Sequence, residues 1–275
     1  MSDRTKKLDD TDGKYAKQTK MKPKTELFLY TLMWGFGVMG RSSLQGLDES
    51  FEGWAWRKGL LKRVQQLEAS GYVDIDDNLG CRVINLTESG RILALGGVEP
   101  PVLWDSPWDG KWRLFSFDLP ESERKLRREL RQTLRQNNFG CLQRSLWITP
   151  HALGKELLGG GMKLKSLKGI AVIEGVFRDG ASNEEIVTSA WDFSLIERLY
   201  KKHAECLKKI PRSGFSAEDF NSWAVEEMNL WRDILHWDPF LPRALLPRHY
   251  SGCAAWDHRL KVLKNFAKNS SKIKL

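Results

Sequence analysis

Hydrophobic positions between residues 25 and 98 follow a pattern of helices and one hairpin. The apolar run TELFLYTLMWGFGVM, from Thr25, is long enough for a buried helix, and the glycines at 35, 37 and 40 end it. A second, short helix is expected around residues 42–47. In the following WAWRKGLLKRVQQLEASGYV, one helical face is apolar and the opposite face is polar. The apolar face holds Leu60, Leu61, Val64 and Leu67, and the polar face holds Lys58, Lys62 and Gln66.

The next segment, GYVDIDDNLGCRVINLTESGR, predicts a β-hairpin followed by a helix. Apolar residues alternate on both sides of the turn sequence Asp-Asn-Leu-Gly at 77–80, and Thr87 is the expected N-cap of the helix that runs to Leu95. Helices followed by a two-stranded ribbon and a closing helix are the parts of a winged helix-turn-helix. The helix before the hairpin would then enter the major groove of DNA. The expected DNA-binding residues are Arg57, Lys58, Lys62, Arg63 and Gln66.

A winged helix can also serve only for protein contacts. Residues 25–97 carry seven Lys/Arg against nine Asp/Glu, so the domain as a whole is slightly acidic and a basic surface on it must be local. A non-DNA adaptor protein is therefore an alternative interpretation of this domain.

The pattern changes after the proline-rich residues 99–107, which resemble a linker. Residues 108–181 predict the order βαββαβ of a ferredoxin-like sheet with two helices on one face. A strand over residues 112–118 leads through Pro120 into a helix, and CLQRSLWITP supplies two short strands. HALGKELLGGG supplies a short helix and GIAVIEGVF a final strand. From residue 182 to 275 the chain is predicted to form a helical C-terminal domain that ends in a basic tail.

The first helix of this central domain carries a stripe of arginines. Leu126, Leu130 and Leu134 face the core, and the opposite side presents Arg124, Arg128, Arg131 and Arg135. Such a stripe is commonly a solvated surface. The alternative is a site for the phosphates of a ligand, because guanidinium groups bind phosphate bidentately.

The net charge of the chain indicates which class of molecule it binds. Lys+Arg minus Asp+Glu is 44 − 35 = +9, which favours a partner made of phosphate. Residues 1–24 hold eight Lys/Arg and four Asp/Glu with few apolar residues, so we expect a disordered basic arm there. The sequence shows no signal peptide and no apolar run of membrane-spanning length, and we expect a cytoplasmic protein. The four cysteines are dispersed and the five histidines lack metal spacing, so no metal site or cofactor is predicted.

Three motifs carry a resemblance to a known family. They are WDGKWRLFSFDLPESERKLRRELRQTLRQNNFGCLQRSLWITP, AWDFSLIERLY and DPFLPRALLPRHYSGCAA, and they occur in the expected order. The chain resembles the PaaX family of bacterial repressors, named for control of phenylacetate degradation. The resemblance implies an N-terminal winged helix, a central domain similar to the CRISPR-associated protein Cas2 and a helical C-terminal domain. It also implies a homodimer on a palindromic operator in double-stranded DNA, released by an aryl- or other acyl-CoA thioester.

The chain departs from this family in two places. Family members carry arginines at positions that align with Leu61 and Gln66, so the operator sequence is expected to differ. The basic arm before residue 25 also lies outside the family pattern, and it is either a phosphate-contacting arm or a solvated tail.

The resemblance to Cas2 raises the question of catalysis at Asp118. In Cas2 nucleases an acid at the end of the first strand binds metal, but this site offers one acid per chain, and phosphodiester cleavage needs several oxygen ligands. Asp118 is therefore expected to be a cap or turn residue that helps to start the helix that follows. We predict an α+β DNA-binding regulator rather than an enzyme, and a Cas2-like metal-dependent nuclease is the alternative.

Overall fold

The computed structural model describes residues 25, 28–30, 61–78, 81–153, 169–178, 180–210 and 217–270. The described residues belong to two compact units. One contains residues 100–198 and 234–251, and the other contains residues 19–99, 199–233 and 252–275. The C-terminal third of the chain therefore contributes to both units. The arm at 1–24, the short helix expected around 42–47 and the helix expected within 151–161 lie wholly or mostly outside the described residues.

The N-terminal segment contains the hairpin and the two helices that the sequence predicts around it. Helix α1 spans Leu61–Ala69, strands β1 and β2 span Val73–Asn78 and Cys81–Leu86, and helix α2 spans Glu88–Ala94. The strands pair antiparallel, with Val73 opposite Leu86 and Asn78 opposite Cys81. Their core also includes residues of the first apolar run and is formed by Phe28, Leu29, Val64, Leu67, Val73 and Ala94.

The central sheet has four strands: β3 at Trp112–Phe117, β4 at Gly140–Gln143, β5 at Leu146–Thr149 and β6 at Ile170–Gly175. All neighbouring strands are antiparallel, and their order is β4-β5-β3-β6. A short helix, α3, spans Pro100–Trp104 and precedes the sheet. Helix α4 spans Arg124–Gln136 and lies between β3 and β4 in the chain. The strands and first helix of the predicted βαββαβ order are confirmed.

One face of this sheet packs on α4. Alternate residues of β3 point to opposite faces, so Phe115 and Phe117 share a face with Trp147 of β5. Leu130 and Leu134 of α4, both 1% exposed, cover these rings. The predicted apolar stripe of this helix is thus its buried face, and the arginines lie on the other.

The opposite face of the sheet is covered by residues of the C-terminal region, which begins at residue 182. Helix α5, Asn183–Ala190, begins with a capping box between Ser182 and Glu185. Its Ile186 and Val187 pack with Leu241 and Leu245 of the later chain on Trp112 and Ile148. The central sheet therefore buries apolar side chains on both faces, and residues beyond 181 cover the second face.

The segment predicted as a linker, 99–107, contains helix α3. Its Trp104 is 2% exposed, donates a hydrogen bond from Nε1 to the Tyr250 hydroxyl at 3.1 Å, and packs against the ring of Phe240 at 6.0 Å. The buried tryptophan makes part of this segment a packed element of its unit.

The C-terminal region is helical, as predicted. Helix α6 spans Phe193–Lys208, α7 spans Ala217–Trp237, a 3₁₀ turn spans Arg243–Leu245, and α8 spans Gly252–Ser270. Aromatic rings join α7 to α8: Phe220 stacks on Phe266 at 5.1 Å, and Trp231 packs on Trp256 at 5.3 Å. None of the helices in the described ranges has the length and apolarity to cross a membrane.

Candidate functional site

Helix α1 has one buried face and one exposed face. Val64 and Leu67 are 2% and 4% exposed and pack in the N-terminal core, whereas Lys62 and Gln66 are exposed and Arg63 is half-buried. The helix therefore presents a basic and amide-bearing surface, as the sequence predicts. Two other residues expected on this surface, Arg57 and Lys58, lie outside the described residues.

The end of α1 and the start of α2 fix this helix against the hairpin. Gly71, at φ +71°, ends α1, and the amide of Tyr72 donates to the Leu67 carbonyl at 2.9 Å. The predicted N-cap is confirmed, because Thr87 Oγ1 accepts a hydrogen bond from the Gly90 amide at 3.0 Å. The same hydroxyl donates to the Gly71 carbonyl at 2.7 Å. The turn after α1 is thus hydrogen-bonded to the first residue before α2.

A buried ionic cluster lies within the unit that contains this N-terminal segment. Its centre is the Glu227 carboxylate of α7, which is 0% exposed. Glu227 Oε2 accepts from the Tyr30 hydroxyl at 2.6 Å, and Oε1 lies 2.8 Å from His203 Nε2 of α6. Arg259 of α8 donates from Nε to Oε1 at 2.6 Å and from Nη2 to Oε2 at 3.2 Å. We call Tyr30, His203, Glu227 and Arg259 the Glu227 cluster.

The Glu227 cluster joins both ends of the chain. Arg259 also donates from Nη1 to the carbonyl of Leu95, at the end of α2, at 3.3 Å. Its guanidinium lies 4.3 Å from the centre of the Trp231 ring, a cation–π contact. Through Tyr30 and Leu95, the N-terminal segment is therefore hydrogen-bonded to two C-terminal helices, α7 and α8, by buried side chains.

The electrostatics of the cluster follow from burial and pairing. Burial alone would raise the pKa of Glu227, but the Arg259 charge and the hydrogen bonds from His203 and Arg259 outweigh it and lower this pKa to about 2. Burial lowers the pKa of His203, an effect that the Glu227 hydrogen bond and charge offset only in part. At neutral pH the cluster therefore holds an ionised carboxylate, a guanidinium and a neutral imidazole.

The arginine stripe of α4 is exposed and lines an open cleft of about 610 Å³. Arg124, Arg128 and Arg135 are exposed and Arg131 is half-buried, so the structure brings the four predicted residues to one surface. The cleft also includes three residues that the sequence did not indicate, namely Arg127, Gln132 and His236. His236 comes from the last turn of α7.

Three of these arginines are held in place. Arg127 donates to the Leu119 carbonyl at 2.6 Å and to Glu121 Oε2 at 2.9 Å. Arg131 donates to the Arg144 carbonyl at 3.1 Å, and the Arg135 guanidinium lies 5.4 Å from the centre of the Trp147 ring. Glu121 also pairs with Arg124 at 3.0 Å, and these two arginines lower its pKa.

The role expected for Asp118 as a helix-starting residue is wrong. A 3₁₀ turn at Glu121–Glu123 precedes α4, its N-cap is Pro120 in extended conformation, and no side chain caps either helix start. Asp118 is exposed and contributes its backbone, since its amide donates to the Gly169 carbonyl at 2.8 Å. Within the described ranges, no three His, Cys, Asp or Glu side chains form a group that could hold a metal ion.

The Glu227 cluster was missed by sequence reasoning, although a signal for it exists. On α7 and α8 a charged residue occupies a position of the apolar stripe, which spacing by three and four residues reveals. Around Glu227 the buried residues are Phe220, Trp223, Ala224, Trp231 and Ile234, and around Arg259 they are Trp256, Leu263 and Phe266. The signal in the sequence is an acidic residue on the apolar stripe of one long helix and an arginine on the apolar stripe of another. Such residues are candidates for a buried ion pair.

Comparison with known protein families identifies two domains in the chain. The model of the PaaX protein central Cas2-like domain matches residues 105–187, and that of the PaaX-like protein C-terminal domain matches residues 191–274. No curated protein matches the chain. Among solved structures, the chain is similar to the uncharacterized protein Rv0674 from Mycobacterium tuberculosis. The identity is 17%, the match covers 79% of this chain and 85% of that chain, and the TM-score is 0.47.

The fold and the two matched domains define an α+β protein of the transcriptional-regulator class. Together the matches cover more than half of the 275 residues. The chain belongs to the PaaX family, and its central domain is Cas2-like.

Proposed function

We propose that the chain is a DNA-binding transcriptional repressor that acts in the cytoplasm as a homodimer on a palindromic operator. The observation that carries the proposal is the division of α1 into a buried face, Val64 and Leu67, and an exposed face, Lys62 and Gln66, directly before the hairpin. A winged helix-turn-helix offers its recognition helix to the major groove in this way. Arg63, Arg57 and Lys58 belong to the same proposed surface.

Two kinds of contact are expected from this helix. Lysine contacts phosphate and adds affinity without sequence preference, whereas a glutamine amide bonds an adenine edge at two points and selects it. Lys62 and Gln66 therefore have different proposed roles, strength for the first and specificity for the second. A homodimer follows from the palindromic operator, since a symmetric site requires a symmetric protein.

A recognition helix must be held in a fixed orientation to contact DNA, so the N-terminal segment that carries α1 has to be anchored to the rest of its unit. Tyr30 and the Leu95 carbonyl are tied to Glu227 and Arg259, so the proposed DNA-binding segment is hydrogen-bonded to the C-terminal helices. A change in those helices can alter this support, which supplies a physical route by which an effector could weaken DNA binding. The proposed effector is an aryl- or other acyl-CoA thioester, whose phosphates would contact Arg124, Arg128, Arg131 and Arg135.

The proposal is tested with the full chain on duplex DNA. Operators are selected from a random pool, and affinity for operator and random duplex is measured by fluorescence anisotropy at several salt concentrations. Saturable binding with preference for the selected DNA, by a dimer in sedimentation, supports the proposal. Absence of duplex binding at moderate salt would favour the adaptor alternative. Metal-dependent cleavage that Asp118→Ala abolishes would favour the nuclease.

The effector is tested separately, in a thermal-shift series across acyl-CoA thioesters. A ligand at about 100 times its dissociation constant stabilises the folded state by roughly 2.7 kcal/mol, which shifts the melting temperature measurably. Unchanged melting curves with every thioester would remove this effector class. The DNA-binding proposal would stand.

A further inference from the structure

The positive charge of the unit that contains the hairpin is concentrated in its last segment. Within this unit, residues 19–99 hold ten Lys/Arg and ten Asp/Glu, and residues 199–233 hold six of each. Residues 252–275 hold six Lys/Arg against one acid, Asp257. The excess of positive charge in the unit therefore comes from α8 and the residues that follow it.

Helix α8 divides its basic residues between the core and the surface. Arg259 is 1% exposed and is compensated by the Glu227 carboxylate. Lys261 and Lys264 are exposed, and neither has a carboxylate within ion-pair distance among the residues that the structure describes. Residues that are three apart lie next to each other on a helix, so these two ammonium groups share one surface.

The helix dipole does not account for this pair of lysines. Basic residues stabilise the last turn of a helix, but the effect falls off beyond that turn. Helix α8 ends at Ser270, so Lys268 lies in the last turn, whereas Lys261 and Lys264 lie before it. A surface whose only task is solubility mixes both signs of charge. An anionic partner accounts for the two lysines that the dipole leaves unexplained.

The place of α8 in the fold favours duplex DNA as this partner. Helix α8 belongs to the same compact unit as α1 and the hairpin, and Arg259 donates to the Leu95 carbonyl at the end of α2 at 3.3 Å. A helix that binds a membrane surface combines basic residues with exposed apolar ones. None of the large exposed apolar side chains in the described part of the chain lies on α8.

We propose that Lys261 and Lys264 form a second DNA surface, which contacts phosphates of the duplex outside the bases contacted by α1. The inference rests on the proposed function for DNA as the partner and adds a contact surface to it. The segment from residue 25 to 97 is slightly acidic, so α8 supplies positive charge that the winged helix lacks. A lysine acts on phosphate as a point charge, and its contribution carries no sequence preference.

The test is fluorescence anisotropy of the full chain on operator and random duplex across a salt series. The double variant Lys261→Gln/Lys264→Gln removes both charges and keeps good helix formers. We expect both duplexes to bind at least about tenfold more weakly at about 0.1 M salt. The slope of log K against log salt should fall by about 1.8, since each phosphate contact contributes roughly 0.9. Lys261→Arg/Lys264→Arg keeps the charge and should bind within about twofold of the wild type.

The matched control is Lys201→Gln/Lys202→Gln. These two lysines of α6 are exposed, belong to the same unit and have no carboxylate within ion-pair distance among the described residues. Since charges that do not touch the duplex are screened by salt, the control should stay within about twofold of the wild type. Equal losses in the control and the α8 variant would overturn the inference, because DNA would then respond to the net charge of the unit.

Other outcomes separate this inference from the proposed function. A loss confined to the operator would contradict a phosphate contact. If Lys62→Ala and Gln66→Ala weakened binding while the α8 variant bound as the wild type does, this inference would fail and the proposed function would stand. Absence of duplex binding by the wild type would overturn both. If the α8 variant lost affinity for vesicles of anionic lipid but not for DNA, the surface would be a membrane contact.

Discussion

Arg259 and Glu227 form two hydrogen bonds where both side chains are at most 1% exposed. Breaking a buried ion pair by removing one partner typically costs about 3 to 5 kcal/mol, because the other charge is left without compensation. The pair lies between α7 and α8, and its carboxylate also binds a residue of the first apolar run. The stability of the N-terminal segment therefore depends on residues near the end of the chain.

Tyr30→Phe should lower the free energy of unfolding by about 1 to 3 kcal/mol. The substitution keeps the ring but removes the hydroxyl that donates to Glu227 Oε2 at 2.6 Å, so a buried carboxylate loses one of its donors. Urea denaturation measures the change. Tyr72→Phe is the control, since Tyr72 is half-buried and its hydroxyl has no hydrogen bond to the described residues. It should change stability by less than about 0.5 kcal/mol. Equal effects of the two substitutions would contradict this role of the cluster.

Stability should fall on acidification in two windows. The folded pKa of His203 is below its ordinary 6.5, so the unfolded chain binds the proton first and stability declines as pH falls below about 6.5. The folded pKa of Glu227 is about 2 against an ordinary 4.5, so its contribution is present above 4.5 and is lost as pH falls toward 2. The second window amounts to roughly 3 kcal/mol.

The measurement is urea denaturation at pH 7, 5.5, 4.5 and 3. His203→Gln keeps a donor for Glu227 but does not titrate, so its stability should be flatter between pH 7 and 5 and should still fall below pH 4.5. A curve parallel to that of the wild type across the upper window would show that His203 does not carry it.

Lys62→Ala should weaken operator and random duplex about equally. An exposed lysine that neutralises one phosphate contributes a slope of roughly 0.9 in log K against log salt and carries no sequence preference. Gln66→Ala should weaken the operator by about 1 to 3 kcal/mol and leave random duplex nearly unchanged. Fluorescence anisotropy across a salt series separates the two effects. Unchanged affinity in both variants would mean that α1 does not contact DNA.

Gly90→Ala should destabilise the N-terminal segment by about 1 to 3 kcal/mol. A Cβ at this position would lie 1.9 Å from the Tyr72 carbonyl oxygen, so α2 must move away from the hairpin. The neighbouring Ser89→Ala is the control, because Ser89 is exposed on the same helix. Thermal denaturation of the two variants gives the comparison, and a Gly90→Ala protein as stable as the control would contradict the close packing of α2 on the hairpin.

The local elements of this fold follow from the sequence because each has a local cause. The alternation around residues 73–86 predicts the hairpin, Thr87 predicts a helix start, and Leu126, Leu130 and Leu134 predict the buried face of α4. Each of these signals depends on residues close together in sequence, and the folded chain contains the element that each one predicts.

Contacts between distant parts of the chain were not predictable in the same way. The cover of the second sheet face by Ile186 and Leu241, the contact of Trp104 with Tyr250 and the convergence of His236 on the arginines join segments far apart in sequence. Hydrophobic periodicity identifies a buried face but not its partner. Asp118 shows the opposite error. A local role as a helix cap was plausible, but a 3₁₀ turn with Pro120 as its N-cap lies between Asp118 and α4.

The Glu227 cluster has a consequence for synthesis of the protein on the ribosome. The partner of Tyr30 lies 197 residues later in the chain. At about 5 to 20 residues per second, roughly 10 to 40 seconds pass before Glu227 is even polymerised. The N-terminal segment emerges first, but its buried hydroxyl obtains its acceptor only after Glu227 of α7 has been synthesised. A chain that is truncated before α7 therefore has this segment without its hydrogen bonds to Glu227 and Arg259, and chaperones and proteases can reach it. Complete folding of the N-terminal segment requires that the C-terminal helices have been synthesised.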